Sequence, residues 1–184
     1  TLMGGLTGDA LTDADSNTAV GYQALTTDTE GSRSVAIGHS ALETQNFTSA
    51  TMSNNTAVGF FAGNDITTGV NNTLIGSEAG EKIGDADNNT AVGFEALATN
   101  VLGSASVAIG FGALKTQNYS SATDGLNVAV GNNAGKLIST GIQNALVGAL
   151  AGDALGDADF NVAVGYNALT GDTLGSRSTA IGRG

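Results

Sequence analysis

The sequence predicts an all-β parallel β-roll or solenoid of about eleven coils, and three observations carry that expectation. A glycine recurs on a fixed beat, at Gly4, Gly21, Gly38, Gly59, Gly76, Gly93, Gly110, Gly131, Gly148, Gly165 and Gly182, with steps of 17 residues and, twice, of 21. An Ala, or a Leu in its place, stands two residues before almost every one of these glycines, and a Val, Ile or Met directly before it. Between the beats lie Gly, Asp, Asn, Ser and Thr, the residues of turns. Self-similarity at a short fixed period signals stacked coils rather than an ordinary globular core.

Each unit opens as a strand. The consensus Asn/Ser-Thr/Val-Ala-Val/Ile-Gly-x-x-Ala-Leu/Gly, as in Asn17 to Leu25, Ser34 to Leu42, Asn89 to Leu97 and Asn161 to Leu169, begins with five positions of β-branched and alternating character. Alternation puts Ala19 and Gly21 on one side and Thr18 and Val20 on the other. A 17-residue unit has room for two short strands and two turns, and eleven coils at roughly 4.8 Å give a rod of about 50 Å. Aromatic content is 5%, and the apolar residues are mainly Ala, Val, Leu and Ile, which suits a thin structure with a narrow interior.

A second rhythm overlies the first. Four coils of 17, 17, 21 and 17 residues make a 72-residue block, so that Gly4, Gly76 and Gly148 are equivalent, as are Leu2, Leu74 and Leu146. The extra residues fall in matching segments, 43–54 and 115–126, expected as insertion loops on one face. The chain reads as one repetitive domain over 1–184 and as a piece of a longer repetitive protein, with targeting signals outside it.

The small Ala/Gly side is assigned to the interior and the Val/Ile side to an apolar ridge along the rod. The ridge residues are Val20, Ile37, Val58, Ile75, Val92, Ile109, Val130, Val147, Val164 and Ile181. Burying one Val or Ile contributes roughly 1.5–3 kcal/mol, and a long exposed apolar stripe marks an interface. The expectation is an oligomer of parallel rods, a homotrimer, with these residues at its interface. The reverse assignment, with Val and Ile inside, would permit a monomer.

Composition removes several classes of function. A net charge of −11 speaks against nucleic-acid binding through a basic surface and against an anionic membrane as partner. No apolar run is long enough for membrane insertion. There is no cysteine, so stability rests on packing or assembly rather than disulfides.

The unit Ser34-Val35-Ala36-Ile37-Gly38-His39-Ser40-Ala41, and Ser106-Val107-Ala108-Ile109-Gly110, resembles the head repeat of trimeric autotransporter adhesins. The variant Asn17 to Leu25 is similar to repeats of bacteriophage tail fibres. The resemblance covers nearly the whole chain and implies a left-handed parallel β-roll that trimerises through its apolar face. It also implies a virion tail fibre or the cell surface as location, and a host cell-surface glycan or protein as partner. The chain departs from the adhesin heads, whose units are somewhat shorter and lack the regular 21-residue coil.

Candidate chemistry is sparse. Asp13-Ala14-Asp15 recurs as Asp85-Ala86-Asp87 and Asp157-Ala158-Asp159, each followed at the second next position by Asn. Alternating carboxylates offer oxygens to a hard cation. The EF-hand pattern fails, however, with Thr18 at position six and Ala24 at position twelve, and solvated turns bonding to the local backbone are the expectation. The single histidine, His39, has Tyr22, Phe60, Ser77, Phe94 and Phe111 at equivalent positions, which suits rim packing rather than catalysis. An acyltransferase hexapeptide period fails at Thr26 and Ser32, and no Gly-Lys-Ser/Thr phosphate loop exists. No enzyme and no cofactor is expected. The sequons at Asn46, Asn54, Asn71, Asn88 and Asn118 are weak signals, several arising from the repeat itself.

Phe47 and Tyr119 sit at equivalent places in the two insertions, among polar residues. They are candidate ligand contacts for a sugar or protein; the alternative is that each ring folds back onto the roll. The functional expectation is a rigid multivalent display rod, the structural and host-surface-binding module of a tail fibre or adhesin. Two other readings stand beside it: a passive spacer, and an ice-binding solenoid using the Thr18, Thr56, Thr73, Thr90 and Thr179 column, which Val35, Val107, Val128, Ala145 and Val162 interrupt.

Overall fold

In the computed structural model, which describes residues 1–184, the chain is an all-β solenoid without helix. Eleven strands pair in parallel in one continuous sheet, in chain order: Leu2–Met3, Thr18–Val20, Val35–Ile37, Thr56–Val58, Thr73–Ile75, Thr90–Val92, Val107–Ile109, Val128–Val130, Ala145–Val147, Val162–Val164 and Thr179–Ile181. Each is shorter than the five-residue stretch the pattern suggested. The register keeps the columns intact, so that Ala36 pairs with Ala19 and Ala57, and Ile75 with Val58 and Val92.

The second strand per coil appears only beside the long coils, where Gly31–Ser32 pairs with Thr51–Met52 and Gly103–Ser104 with Thr123–Asp124. Elsewhere the turns stack without regular strand geometry. Of 113 backbone hydrogen bonds, 92 lie outside the regular elements, and most of these join one coil to the next, as from Asp65 N–H to the Glu81 carbonyl at 2.8 Å. The stack is therefore held together all round its perimeter.

The alanine side is the interior. Ala19, Ala36, Ala57, Ala91, Ala108, Ala129 and Ala163 are wholly buried, as are Leu74 and Leu146 in the same column. A second interior column begins in the turn, where Leu25, Leu42, Leu97 and Leu114 take left-handed backbone angles. For a branched side chain that conformation costs roughly 1–2 kcal/mol. The cost is offset by complete burial of each Leu. The equivalents in the other coils are Gly8, Gly63, Gly80, Gly135, Gly152 and Leu169.

This Leu/Gly alternation explains the 72-residue rhythm. A Cβ on Gly80 would lie 2.6 Å from the Leu74 side chain, and one on Gly63 2.7 Å from it. Where the strand carries Leu, the turns give up theirs. Where it carries Ala, the turn supplies a buried Leu at Leu25, Leu42, Leu97 and Leu114. In the Ala57 and Ala129 coils, which precede a Leu strand, the turn keeps Gly63 or Gly135, and the buried Ile66 or Ile138 fills the interior.

Beside the apolar columns, which also include Ala24, Ala41, Ala62 and their equivalents, the interior holds a column of amides. Asn17, Asn55, Asn72, Asn89, Asn127, Asn144 and Asn161 are buried, at the position directly before each strand. The Asn72 rung shows the pattern: its amide donates to the Ala86 carbonyl at 2.9 Å, and its oxygen accepts the Asn89 backbone N–H at 2.9 Å. Buried amides so paired cost little, whereas unpaired ones cost heavily.

The column holds Ser34 and Ser106 at the start of the two 21-residue coils. There Gln45 and Gln117, both fully buried, reach into the vacated space and accept from Asn55 and Asn127 at 2.8 and 2.9 Å. The insertions thus send a Gln and an aromatic ring inward, and present outside the tips Thr48 to Ala50 and Ser120 to Ala122 together with Asn46, Met52 and Asn54, and Asn118, Asp124 and Leu126.

Candidate functional site

Phe47 and Tyr119 do not stand out from the loops as ligand contacts would. Each is only 6% exposed, folded against the roll. Asn46, Thr48, Asn118 and Ser120 are exposed around them, but each ring turns inward and lies against a glycine, Gly31 for Phe47 and Gly103 for Tyr119. The Tyr119 hydroxyl donates to the Gly141 carbonyl at 2.9 Å and accepts from the Asn127 amide at 3.2 Å. Burial pushes it up to about 12, so it remains a donor across the neutral range. A ring so enclosed has no free face for a sugar.

The two insertions differ by a compensated exchange. Beside Phe47, the Ser53 hydroxyl bonds to that of Ser34 at 2.7 Å. Beside Tyr119 the equivalent residue is Gly125, where a Cβ would lie 2.7 Å from the Tyr119 hydroxyl. Phe47→Tyr alone is expected to destabilise by about 1–3 kcal/mol through overpacking. Adding Ser53→Gly should recover about 1 kcal/mol or more of that loss. A double-mutant cycle by urea denaturation checks this, and strictly additive effects would contradict it.

The Asp pairs bond along the stack rather than to their own turns. Asp85 accepts from the Thr67 and Thr68 hydroxyls, and Asp157 from Ser139 and Thr140 at 2.6 and 2.8 Å. These hydroxyl donors hold both carboxyls below their ordinary value. Asp87 and Asp159 each accept a backbone N–H of the preceding coil, from Val70 and Ile142, at 2.8 Å. Asp13 and Asp15 lie at the first copy of the turn, where the Asp15 N–H donates to Ser32. No group of three or more acidic or histidine side chains converges. The pairs serve as staples between coils.

The feature with the reach of a functional site is the outer face of the eleven-stranded sheet. Ile37, Ile75, Ile109, Val147 and Val164 are between 36% and 42% exposed, Ile181 at the last coil more so, and Val20, Val58, Val92 and Val130 are half-buried between them. The Thr/Val column runs beside this ridge. Neither column contains a charged residue.

A rim borders the ridge, one residue after each ladder glycine, and carries a ring at Tyr22, His39, Phe60, Phe94, Phe111 and Tyr166. Tyr22, His39 and Phe60 follow one another with centroids 5.4 Å apart, and Phe94 and Phe111 stack at 5.6 Å with 19° between planes. The Tyr22–His39 and His39–Phe60 pairs are tilted by 38° and 33°. Such a row extends an apolar surface more readily than it offers a platform to a ring-shaped ligand. His39 is a member of this row, consistent with rim packing.

Charge is displaced from the face. The single salt bridge of the molecule, Lys115 to Glu95 at 2.7 Å, lies beyond the aromatic rim. No protein-family model, curated protein or solved structure matches the chain.

Proposed function

We propose that the protein is a rigid display rod, assembled from three parallel copies through the outer sheet face, that serves as the structural and host-surface-binding module of a phage tail fibre or a bacterial surface adhesin. The observation that carries this reading is the uninterrupted Val/Ile ridge, which runs beside an uncharged Thr/Val column along the eleven-stranded sheet. At roughly 4.8 Å per strand and about 3.3 Å per residue across, the face and its rims cover on the order of 800–1,000 Å². A stable interface needs about 800 Å² per partner. A monomer would leave the whole ridge in water, and a long exposed apolar stripe marks an interface.

The remaining surface suits a rod held in solution. With a net charge of −11, assembled rods repel one another once the apolar faces are covered. Backbone bonding round the whole perimeter gives rigidity, and three copies give multivalent display of whatever contacts the host surface.

Light scattering tests the assembly. The expected mass is three times the 18.1 kDa of one chain. Ile75→Asp/Ile109→Asp, which places two carboxylates on the ridge, should shift the protein to monomer while leaving its circular dichroism unchanged. A wild-type chain that scatters as a monomer at micromolar concentration overturns the reading.

A further inference from the structure

The molecule has one cavity, a solvent-open notch of about 260 Å³. Asp15, Ser16, Ser32 and Arg33 line it from two successive coils, and the edge of the first insertion, at Thr51 and Met52, closes it. None of these residues belongs to the Val/Ile ridge or to the Thr/Val column, so the notch lies beside the proposed interface and not on it.

The 72-residue rhythm shows why the space is there. Ser16 corresponds to Asn88 and Phe160, and Arg33 to Ala105 and Arg177. Ser16, Arg33, Phe160 and Arg177 share one left-handed backbone conformation, with φ of 62°, 66°, 59° and 61°. In the third copy the Arg177 guanidinium lies over the Phe160 ring, 5.2 Å from its centroid. In the first copy the backbone and the arginine are kept, but Ser16 stands where the ring would be. Arg33 has gained no carboxylate in exchange, since the single salt bridge joins Lys115 to Glu95. Arg183 lies over Tyr166, which leaves Arg33 as the one arginine with neither a ring nor an acid beside it. In the second copy Ala105 and Asp124 replace Arg33 and Met52, and no cavity forms.

Three groups define what fits. The guanidinium is a planar fork that pairs bidentately with a carboxylate and stacks on a flat ring. The Asp15 carboxylate accepts hydroxyl protons and repels a doubly charged phosphate. Met52, 60% exposed, offers an adaptable apolar surface. The volume lies just below the roughly 300–1,000 Å³ of sites for drug-sized ligands, which sets the occupant at a single ring.

We propose that the notch binds one acidic sugar residue, a hydroxylated ring whose carboxylate pairs with Arg33 and whose hydroxyls bond to Asp15. This rests on the host-surface binding proposed above and names its ligand class. The site is complete within one chain, so an assembly of three would present three copies.

Titration of methyl glucuronide into the isotope-labelled protein, followed by NMR, tests the site. Methyl glucoside, which lacks the carboxylate, and acetate, which lacks the ring, are the comparison probes. The Arg33 Nε and Met52 methyl signals are expected to shift saturably with the glucuronide, and each comparison probe to bind about tenfold more weakly or worse. Ser16→Phe copies Phe160 at the same backbone angle, and Arg33→Ala copies Ala105, so both should fold with unchanged circular dichroism. Each should weaken glucuronide binding about tenfold or more. Absence of a saturable shift, equal affinity for acetate, or wild-type affinity in Ser16→Phe overturns the proposal. Light scattering on the same samples separates it from the assembly: a trimer that does not bind glucuronide overturns the site alone, and a monomer that binds it overturns the assembly alone.

Discussion

Gly76→Ala is expected to be the most damaging single-methyl change in the molecule, with a loss of about 3–5 kcal/mol in the stability of the coils around it. Two costs combine. Gly76 has φ of +135°, a region open to glycine and nearly closed to any residue with a Cβ. A Cβ there would also lie 2.6 Å from the Gly93 carbonyl oxygen in the next coil. That oxygen is backbone, so relief requires the two coils to separate. Separation loosens the ladder in which the Gly76 N–H donates to the Val58 carbonyl and the Gly93 N–H to the Ile75 carbonyl, both at 2.8 Å. In a stack where each coil touches only its neighbours, a fault in the middle uncouples the two sides.

Gly182→Ala separates these costs. Its φ is +129°, but nothing lies within 4 Å of the added Cβ. It should show the backbone strain alone, about 1–3 kcal/mol. Urea denaturation of the two variants, with amide exchange to locate the opened coils, provides the comparison. Equal losses would mean that the close stacking of the glycine column contributes nothing.

The glycine beat was legible because its cause is local and repeated: the same angle and the same close approach recur at each coil. The Ala column was legible for a related reason, since Ala19 and its equivalents alternate with Val and Ile and only the smaller set suits a narrow interior. The long coils were harder to read. Phe47 looks exposed when read among Thr44, Asn46, Thr48 and Ser49, and its burial depends on Gln45 entering the core beside it. The clue lay 72 residues away, where Tyr119 is matched by Gly125 and Phe47 by Ser53. Reciprocal size changes at two positions are the mark of side chains in contact.

The Asn column was misread for a different reason. Asn before a strand is ordinary turn chemistry, and nothing in a single unit distinguishes a buried amide from a solvated one. Only the exceptions speak: Ser34 and Ser106 stand where the coil lengthens and a Gln follows eleven residues on. The Asp pairs show the same limit. Their hydrogen-bonding partners lie about one coil away, a relation that local turn rules do not contain.

Asn72→Ala should cost about 3–5 kcal/mol, the second largest effect expected here, although it removes no apolar contact of note. The amide has two obligations. It donates to the Ala86 carbonyl and accepts from the Asn89 N–H, both at 2.9 Å and both closed to solvent. Alanine leaves that donor and that acceptor unpaired in the interior, at about 1–3 kcal/mol each, with a small cavity added. A water could serve both groups only if the cavity admits one, and the Leu74 and Ile83 side chains of the same coil fill the interior. Asn71→Ala is the internal control. Its side chain sits one residue away on the exposed rim, bonded to Asn54 and Asn88 at 3.1 and 3.2 Å, and water replaces those bonds. Its loss should stay within about 1 kcal/mol, most of it from the left-handed angle that Asn tolerates better than Ala. Denaturation midpoints that fall equally for the two variants would show that the Asn72 rung is solvated. A fall confined to Asn72→Ala would establish the buried amide column as a principal support of the stack.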